Sequence, residues 1–346
     1  MSEGNIILWR VQICSRFVLR FEQPNGGIPD DSDKSARKMR SGIFVPLTLL
    51  GSAGASIVPQ LRRSQPVTCG QDSVSEYEKE ALASRLRAST KSSDLTSRAD
   101  EVIDVNVYQH VVAFNETLEG GYLSNDTMNA QFQLLQDSFA PYSFNLKLAE
   151  TQWVVNKTLA SVNKGDDIEN VVKQALRKGT YADLNIFYVA YITVGPGNEG
   201  TGWSTWPWGN ATWTPNGTAE PTDFDKSIDG CFVSSATTPN GTNDWGYNQG
   251  KIAVHEAGHW FGLFHVFEGG CSGPGDYVND TFPQGGYTYT VQGMCEDTRP
   301  GCFLGTDPPN YKNHMDYSDD PCRVEFTKGQ EARMRLMWDE FRATKE

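Results

Sequence analysis

One short motif constrains this chain more than any other feature: residues 255–265 have the pattern His-Glu-x-x-His-x-x-Gly-x-x-His. Residues four apart lie on the same face of an α-helix, so His255 and His259 can offer two imidazole nitrogens to one tetrahedral ion. Gly262 suits a left-handed residue at the helix end because it has no Cβ. The chain can then turn back and bring His265 to the same ion. The motif therefore predicts a helix that carries a metal site.

The donor set indicates a catalytic zinc site. Three protein ligands leave one coordination position for water, whereas a structural zinc site is closed by four. Zinc lowers the pKa of that water towards ~7, and Glu256 is placed to accept its proton as a general base. Exposed histidines on an amphipathic helix are the alternative, but three of the chain's five histidines fall in this motif. We therefore expect one zinc ion per chain and a hydrolytic reaction.

The amino-terminal part has the pattern of a secretory signal. An apolar segment, residues 43–58, follows a basic start, Lys38 to Arg40, and ends in small residues that resemble a cleavage site at Ala55. It is shorter than the ~20 apolar residues of a membrane-spanning helix, so no membrane anchor is expected. Because a signal should begin a chain, we expect translation to start at Met39. Residues 1–38 would then be a gene-model extension and residues 39–55 the signal peptide; a buried apolar strand is the alternative.

Charge, cysteines and sequons agree with a secreted, extracellular protein. The net charge is −13, and no run of Lys and Arg could follow a phosphate backbone, so no nucleic-acid partner is expected. Six cysteines follow the signal, an even number that predicts disulfides in an oxidising compartment. Seven Asn-x-Ser/Thr sequons predict N-glycans at Asn115, Asn125, Asn156, Asn210, Asn216, Asn240 and Asn279.

The order of secondary structure indicates a mixed α/β layer. Residues 56–100 are polar and predict a leader or pro-segment with a helix near residues 74–88. Strands are expected at residues 103–107, 144–148 and 184–192, with helices at 124–139 and 167–177. Residues 195–245 predict long loops with short edge strands, one at 231–235. The tryptophans of this stretch could form a sugar-binding platform, but we favour packing around a cleft for Trp203, Trp206, Trp208 and Trp213.

The motif and the sequence after it resemble a known family. The long zinc motif is that of the metzincins, in which a turn containing a methionine lies beneath the metal. The segments AVHEAGHWFGLFHVFEGGCSGPGD, NHMDYSDDPC and FTKGQEARM are similar to the pappalysins, especially secreted fungal extracellular metalloproteases. The resemblance is close over residues 245–340 and extends back to about residue 100. One departure is Phe282, which separates Thr281 from Pro283 where the family is expected to place Pro directly after Thr.

The resemblance implies both a fold and an activity. The fold is α+β: residues 101–265 form an upper subdomain with a mixed twisted sheet, helices and the zinc helix. Residues 266–346 form a smaller, irregular, disulfide-braced lower subdomain with the methionine turn and a C-terminal helix. The implied activity is that of a metalloendopeptidase that hydrolyses internal peptide bonds of protein or peptide substrates.

The resemblance also implies roles for further residues. Met315 is expected in the methionine turn. Tyr317 is expected to hydrogen-bond the tetrahedral intermediate or, alternatively, to pack beneath the site. His314 is expected to lie behind the ligands or at the surface rather than to bind the metal. Some relatives bind calcium, and the candidate ligands in this chain are Asp276, Asp280 and Asp297. We favour the alternative that these three are solvated loop carboxylates.

The cysteines leave one question open. The family pattern favours a Cys295–Cys322 disulfide, which leaves Cys271 with Cys302. Cys69 lies before the catalytic domain, and its thiol is a candidate fourth zinc ligand that would keep the protein latent. We favour instead a disulfide with Cys231, because that pairing leaves no odd thiol.

Two other functions compete with the endopeptidase. The first is a secreted glycoprotein that binds a polysaccharide or protein through the tryptophan-rich loops and keeps zinc for structure. Glu256 argues against it, because a structural site has no use for a carboxylate beside an open coordination position. The second is zinc-dependent hydrolysis of a bond other than a peptide.

Overall fold

The protein is described by a computed structural model that covers part of the chain: residues 69–89, 101–210, 213–214, 217–218, 220–288, 295, 302 and 310–343. All of them belong to one compact unit that begins at Leu61. The expected gene-model extension and signal peptide, residues 1–55, lie outside the described residues. Within the described ranges, no helix has both the length and the apolar character needed to cross a membrane.

In the described part of the chain, the strands form one large and two small sheets. In chain order they are β1 Ile103–Ala113, β2 Phe144–Val155, β3 Ser161–Asn163, β4 Leu184–Val189, β5 Tyr191–Thr193, β6 Gly202–Ser204, β7 Trp213–Thr214, β8 Gly217–Thr218 and β9 Cys231–Ser234. The large sheet has the order β2-β1-β4-β9-β6. Its first four strands are parallel, and β6 runs antiparallel to β9 at the edge. The small sheets pair β3 with β5 and β7 with β8.

Six α-helices surround the sheet in the described part of the chain. They are α1 Glu76–Ser89, α2 Asn125–Phe139, α3 Asp167–Leu176, α4 Asp223–Ser227, α5 Lys251–Trp260 and α6 Lys328–Met337, which continues into a π-helical turn, Trp338–Arg342. The helix predicted at 124–139 is α2, and Ser124 is its N-cap, because the Ser124 side chain accepts a hydrogen bond from the backbone N–H of Thr127. Thr327 and Gln330 form a reciprocal capping box at the start of α6.

The large sheet is covered on both faces. On one face, β1 packs with α2 and α5 through residues such as Val107, Phe139 and Ala253. On the other face, Val172 of α3 packs with Phe187 and its neighbours. Parallel strands covered on both sides have continuous apolar sequences, and all six residues of β4 are buried. This explains why β4 gave the strongest strand pattern in the sequence.

Two predicted strands differ from the structure. The strand at 231–235 was expected at an edge, but β9 lies inside the sheet between β4 and β6. The edge is formed by β6, whose three residues are too short to show a strand pattern. The predicted strand 184–192 is divided at Ala190, after which β5 leaves the large sheet and pairs with β3. Hydrophobicity alone cannot locate such a change of partner.

The region after His265 is irregular, as expected for the lower subdomain. Its described residues contain turns, the methionine segment and α6. Two disulfides, Cys271–Cys302 and Cys295–Cys322, join its loops with Cα–Cα distances of 5.3 and 5.2 Å. Each crosslink of this kind stabilises a fold by ~2–4 kcal/mol. They compensate for a region with few regular elements.

The tryptophan-rich stretch is packed rather than displayed. Trp203, Trp206 and Trp208 are buried, and the last two stack with ring centroids 5.0 Å apart. With residues 69–89 in place, their faces are therefore not available as a sugar-binding platform. The side chain of Trp213 lies outside the described residues.

Candidate metal centre

The zinc motif lies on α5 and on the turn that follows it. His255 and His259 project from α5 one turn apart, and the chain beyond the helix brings back His265. The Nε2 atom of His259 lies 3.2 Å from Nε2 of His255 and 3.1 Å from Nε2 of His265. A tetrahedral zinc ion with Zn–N bonds of ~2.0–2.1 Å holds its nitrogen ligands ~3.3 Å apart. The three imidazoles thus have nearly the spacing that such an ion requires.

The protonation of these imidazoles fits a cation between them. The Nδ1 atoms of His255 and His259 each lie 2.7 Å from a backbone carbonyl oxygen, that of His314 and that of Leu263 respectively. A neutral imidazole has one N–H, so donation from Nδ1 leaves a lone pair on each Nε2. Burial lowers the pKa of both rings, to about 3 for His259, which keeps them neutral. Facing lone pairs at 3.2 Å repel each other unless a cation lies between them.

Gly262 allows the return of His265 for two reasons. Its φ is +88°, a left-handed conformation that residues with a Cβ rarely adopt. A Cβ at this position would also lie 2.4 Å from Cγ of Met337 in α6. The glycine therefore permits both the turn and the close approach of the C-terminal helix.

Glu256 is fully buried beside the three imidazoles. Its Oε2 atom lies 3.8 Å from the sulfur of Cys69, and its Oε1 atom has no hydrogen-bond partner in the described part of the structure. A Cβ on Gly202 would lie 2.7 Å from Oε1, so the glycine in β6 makes room for the carboxylate. Burial raises the pKa of the Glu256 carboxyl to about 8. A buried carboxylate oxygen without a partner is costly, which points to a water molecule or ion at this position.

The methionine turn packs directly beneath α5. Met315 is fully buried, and a Cβ on Gly258 would lie 2.4 Å from its Sδ atom. The neighbouring His314 is also buried, so it lies behind the ligands rather than at the surface. Its backbone carbonyl accepts the hydrogen bond from His255, while its ring packs on Phe326 with centroids 4.8 Å apart.

Tyr317 faces the metal centre. Its ring centroid lies 5.0 Å from that of His265 and 5.7 Å from that of His255. Its hydroxyl donates to the carbonyl oxygen of Cys69 over 3.4 Å. The phenol oxygen therefore lies in the cleft, where it contacts the chain segment that crosses the site.

Cys69 lies at the metal centre. Its Sγ atom is 3.6 Å from Nε2 of His259, and all four candidate ligand atoms, from Cys69, His255, His259 and His265, lie within 4.8 Å of one another. Ideal tetrahedral Zn–S and Zn–N bonds, ~2.3 and ~2.0–2.1 Å, separate sulfur from nitrogen by ~3.6 Å. The thiol therefore has the distance to His259 expected of a fourth ligand.

The favoured Cys69–Cys231 disulfide is wrong. Both thiols are free and buried, and that of Cys231 donates to Oγ of Ser204 over 3.7 Å. Cys69 pairs with Gly202 on one side of β6, whereas Cys231 pairs with Ser204 on the other. Two strand spacings of ~4.8 Å therefore separate the cysteines, which is more than the ~7 Å that a disulfide can span between Cα atoms.

The segment after Cys69 covers the free edge of β6. Gly70 donates its backbone N–H to the carbonyl oxygen of Gly202 over 2.8 Å. The side-chain oxygen of Gln71 accepts from the backbone N–H of Ser204 over 3.1 Å. Backbone groups of an edge strand are the usual docking points for an extended peptide.

An aspartate that the sequence did not single out holds the start of α5. Asp320 accepts hydrogen bonds from the backbone N–H groups of Gln249 and Lys251 over 2.8 and 3.4 Å. Its other oxygen accepts from Arg323. The only sequence indication of this role was the position of Asp320 in the methionine segment.

A second buried aspartate holds the other end of α5. Asp229 accepts from the indole N–H of Trp260 over 2.9 Å and forms two hydrogen bonds with Arg342. Arg342 also donates to the carbonyl oxygen of Trp260 and lies over its ring. Nothing in the sequence pattern marked this pair, because its members are 113 positions apart.

The candidate calcium ligands do not share one environment. Asp276 is buried, so it is not a solvated loop carboxylate, and burial raises its pKa to about 7. Asp280 is exposed and binds the start of α6 through Thr327 and Gly329. Asp297 lies outside the described residues. Within the described ranges, the sole metal-sized cluster of His, Cys, Asp and Glu ligand atoms is that of Cys69 and the histidines.

Most predicted glycosylation sites are at the surface. Asn216 lies outside the described residues, and the other six sequon asparagines are exposed: Asn115, Asn125, Asn156, Asn210, Asn240 and Asn279. An exposed asparagine can carry a glycan without disturbing the core.

Comparison with solved structures agrees with this fold. Mature mirolysin of Tannerella forsythia in complex with a cleaved peptide has a TM-score of 0.54 and 24% identity, over 70% of this chain and 95% of that one. A mutant of promirolysin from the same organism has a TM-score of 0.54 and 22% identity, over 80% and 96% of the two chains. Both likenesses support a metzincin fold.

Sequence comparison is more specific. The Peptidase_M43 family profile, described as pregnancy-associated plasma protein-A, matches residues 239–339. An extracellular metalloprotease of Podospora anserina is 41% identical over 75% of this chain and 82% of its own. One from Pyricularia oryzae is 36% identical over 88% of this chain and 99% of its own. The chain therefore belongs to the pappalysin family of metalloendopeptidases.

Proposed function

We propose that this protein is a secreted zinc-dependent endopeptidase, with His255, His259 and His265 as metal ligands and Glu256 as general base. The observation that carries the proposal is the cluster of three imidazole Nε2 atoms, 3.1–3.2 Å from His259 to its two neighbours, with the unpartnered Oε1 of Glu256 beside it. Zinc, when bound there, polarises a substrate carbonyl and acidifies a water molecule. Its positive charge also lowers the pKa of the neighbouring carboxyl, which favours the ionised form that a base needs.

The protein's own groups would position and protonate the reacting peptide. Residues 69–71 occupy the outer edge of β6 in the described state. Once they are removed, the backbone groups of Gly202 and Ser204 are available to a substrate strand. Glu256 accepts a proton from the attacking water and delivers it to the leaving amine. The Tyr317 hydroxyl donates to the oxygen that becomes negative in the tetrahedral intermediate, as it donates to the Cys69 carbonyl in the present state. Met315 supports the ligands from below.

Cys69 makes the described state a latent one. Its sulfur holds the position of a fourth ligand, next to His259 and Glu256, and its main chain blocks the edge of β6. Substrate and catalytic water are therefore both excluded. Accordingly, we assign residues 56–100 to a pro-segment, residues 101–265 to the upper subdomain and residues 266–346 to the lower one. Removal of the pro-segment would produce the active enzyme.

Secretion is supported by the relatives, which are named extracellular metalloproteases. It also agrees with the exposed sequons, the two disulfides and the signal pattern at residues 39–55. The amino-terminal sequence of the secreted protein tests this part. A mature protein that begins before Met39 would contradict the assigned signal.

Digestion of a denatured protein by the processed chain, with and without a zinc chelator, tests the activity. We expect internal cleavage that the chelator abolishes and added zinc restores, with about one zinc per chain by elemental analysis. The His259→Ala variant should lose both the metal and the cleavage. Full zinc content in that variant would refute the ligand assignment, and cleavage that survives metal removal would refute the mechanism.

A further inference from the structure

The helix of the pro-segment, α1, has its own contacts with the catalytic unit, made by residues other than Cys69. Lys79 of α1 is 4% exposed, and its Nζ atom lies 2.5 Å from Oε1 of Glu268 and 2.8 Å from Oε1 of Glu76. A lysine is rarely buried unless a carboxylate compensates its charge. Glu268 belongs to the loop just after His265, so this ion pair links the pro-segment to the region beside the metal centre.

An apolar contact accompanies the ion pair. Leu82, one turn further along α1, is 1% exposed and lies in a cluster with aromatic and aliphatic side chains of the catalytic unit. Beyond it, Arg85 forms an ion pair with Glu340 of the C-terminal turn. We call the surface that receives α1 the helix dock; it consists of Tyr181, Trp206, Trp208, Phe264, Glu268 and Phe341.

The helix dock and the metal centre share one side chain. Trp206 packs edge-on against His259 with centroids 5.5 Å apart, and its other neighbours are Trp208 and Phe264. Without α1, the aromatic side chains that Leu82 covers would face solvent as an apolar patch. Such patches on soluble proteins commonly mark binding surfaces. Among the described residues, the segment that fills this surface with an apolar side chain and a complementary charge is α1.

We propose that the helix dock is a second binding site of the processed protease, and that its ligand is α1 of the same chain. The dock holds the pro-segment after the connection between α1 and β1 has been cut, and it does so independently of the Cys69 thiol. The proposal rests on the proposed function only in taking residues 56–100 as a pro-segment. While either α1 or the Cys69 thiol stays bound, it keeps the other at a high local concentration near its own site. Cleavage of the chain therefore does not by itself release the pro-segment and activate the enzyme.

The test uses the full chain and does not measure peptidase activity. Every protein carries Glu256→Gln to prevent self-digestion, Cys69→Ser to remove the thiol anchor, and a recognition site for a sequence-specific protease at residues 92–98. After cutting at that site, size-exclusion chromatography shows whether the pro-segment still elutes with the catalytic part. A third substitution, Leu82→Asp, disrupts the contact of α1 with the helix dock. Its matched control is Ser84→Asp, which adds the same charge to the exposed face of α1.

We expect the chain with intact Leu82 and the Ser84→Asp control to retain at least four-fifths of the pro-segment. The Leu82→Asp chain should retain less than one-fifth. Release from the cut chain with intact Leu82 would show that the thiol is the required anchor and would overturn the proposal. Retention by Leu82→Asp, or equal release by both aspartate variants, would also overturn it. The catalytic part has the same sequence in all three proteins, and the part released from the Leu82→Asp chain should still melt cooperatively, which shows that release does not result from misfolding.

Discussion

At the scale of single residues, the environment of Glu256 determines what its carboxylate can do. One oxygen is near the Cys69 thiol, and the other has no partner in the described structure. The side chain supports no packing that a residue of equal size would lose. It is therefore the residue whose chemistry can best be separated from its structural role.

We predict that Glu256→Gln keeps the metal and the fold while losing peptidase activity. Gln is nearly equal in size and can hydrogen-bond a water molecule, but it cannot accept a proton. General acid–base assistance contributes ~10²–10⁴-fold, so the rate should fall by at least two orders of magnitude. The measurement is digestion of a denatured protein by the processed enzyme, with zinc content confirmed. A rate within threefold of the parent would exclude Glu256 as the base.

A second residue-scale prediction concerns Asp276 and pH. Burial raises the pKa of its carboxyl to about 7, above the ~3.9 of an unfolded chain. The folded state thus binds the proton more tightly, so this contribution to stability is complete below pH ~4 and is lost as pH rises through ~7. Asp276→Asn removes the titrating group. The free energy of unfolding should therefore fall less between pH 5 and pH 8 in the variant than in the parent, by ~1 kcal/mol or more.

Urea unfolding at both pH values, in the Glu256→Gln background, measures this difference. An equal pH dependence in parent and variant would contradict the prediction. The same measurement with added calcium is a control. If calcium stabilises the parent at pH 8 but not the Asp276→Asn variant, Asp276 is a calcium ligand with an ionised carboxylate.

The metal centre was only partly accessible from the sequence. Residue type and helical spacing were enough to select the three histidines and Glu256, because a helix fixes which side chains share a face. The carbonyl groups that orient the imidazoles belong to His314 and Leu263, and a backbone carbonyl leaves no mark in a side-chain pattern. Cys69 was named from the sequence as a candidate fourth ligand, but the disulfide with Cys231 was favoured, because the path of residues 69–71 along β6 has no local signal.

At the scale of elements, α5 is held at both ends by buried aspartates from other parts of the chain. Asp320 satisfies backbone N–H groups at its start, where a helix has no internal partners for them. Asp229 and Arg342 bind its last residue, Trp260. Because His255 and His259 lie between these two anchors, the position of the ligands depends on both.

We predict that Arg342→Ala destabilises the fold by ~3–5 kcal/mol, because it leaves the buried charge of Asp229 without its main partner. Arg342→Lys keeps the charge but not the two-pronged geometry, so it should lose less. Urea unfolding in the zinc-loaded Glu256→Gln background measures both. The control is Arg87→Ala, which breaks an exposed pair with Glu80 and should change stability by less than ~1 kcal/mol. A loss for Arg342→Ala no greater than that of the control would show that the pair does not stabilise α5.

Elements with a strong local pattern were predicted well, and those defined by long-range pairing were not. The start of α2 followed from Ser124, whose capping side chain acts within one turn. The position of β9 inside the sheet and the division after β4 depend on which distant strand is nearest. Short strands such as β6 bury too few residues to produce a periodic pattern, so their partners are set by the tertiary fold.

At the scale of the whole molecule, the proposed latency depends on segments that are far apart in the sequence. Cys69 contacts residues 187 and 190 positions away, and Lys79 contacts one 189 positions away. The proposed pro-segment therefore contacts distant parts of the chain rather than its local neighbours. Its two proposed anchors are the Cys69 thiol at the metal centre and α1 in the helix dock.

The last prediction follows from these two anchors and concerns Cys69→Ser in the unprocessed chain. A neutral hydroxyl is a poor zinc ligand compared with a thiolate, so the metal position should become accessible to water. The main chain of residues 69–71 would still be held against β6 by α1, so we expect partial relief. Initial hydrolysis of a fluorogenic peptide by the unprocessed form should rise at least tenfold over the parent, but stay below the rate of the processed enzyme.

Cys231→Ser, which replaces the other free thiol, should leave latency unchanged. Adding Leu82→Asp to Cys69→Ser should raise the rate further, because both anchors are then lost. If Cys69→Ser and the parent hydrolyse the peptide equally slowly before processing, the thiol does not enforce latency, and the blocked edge of β6 alone must account for it.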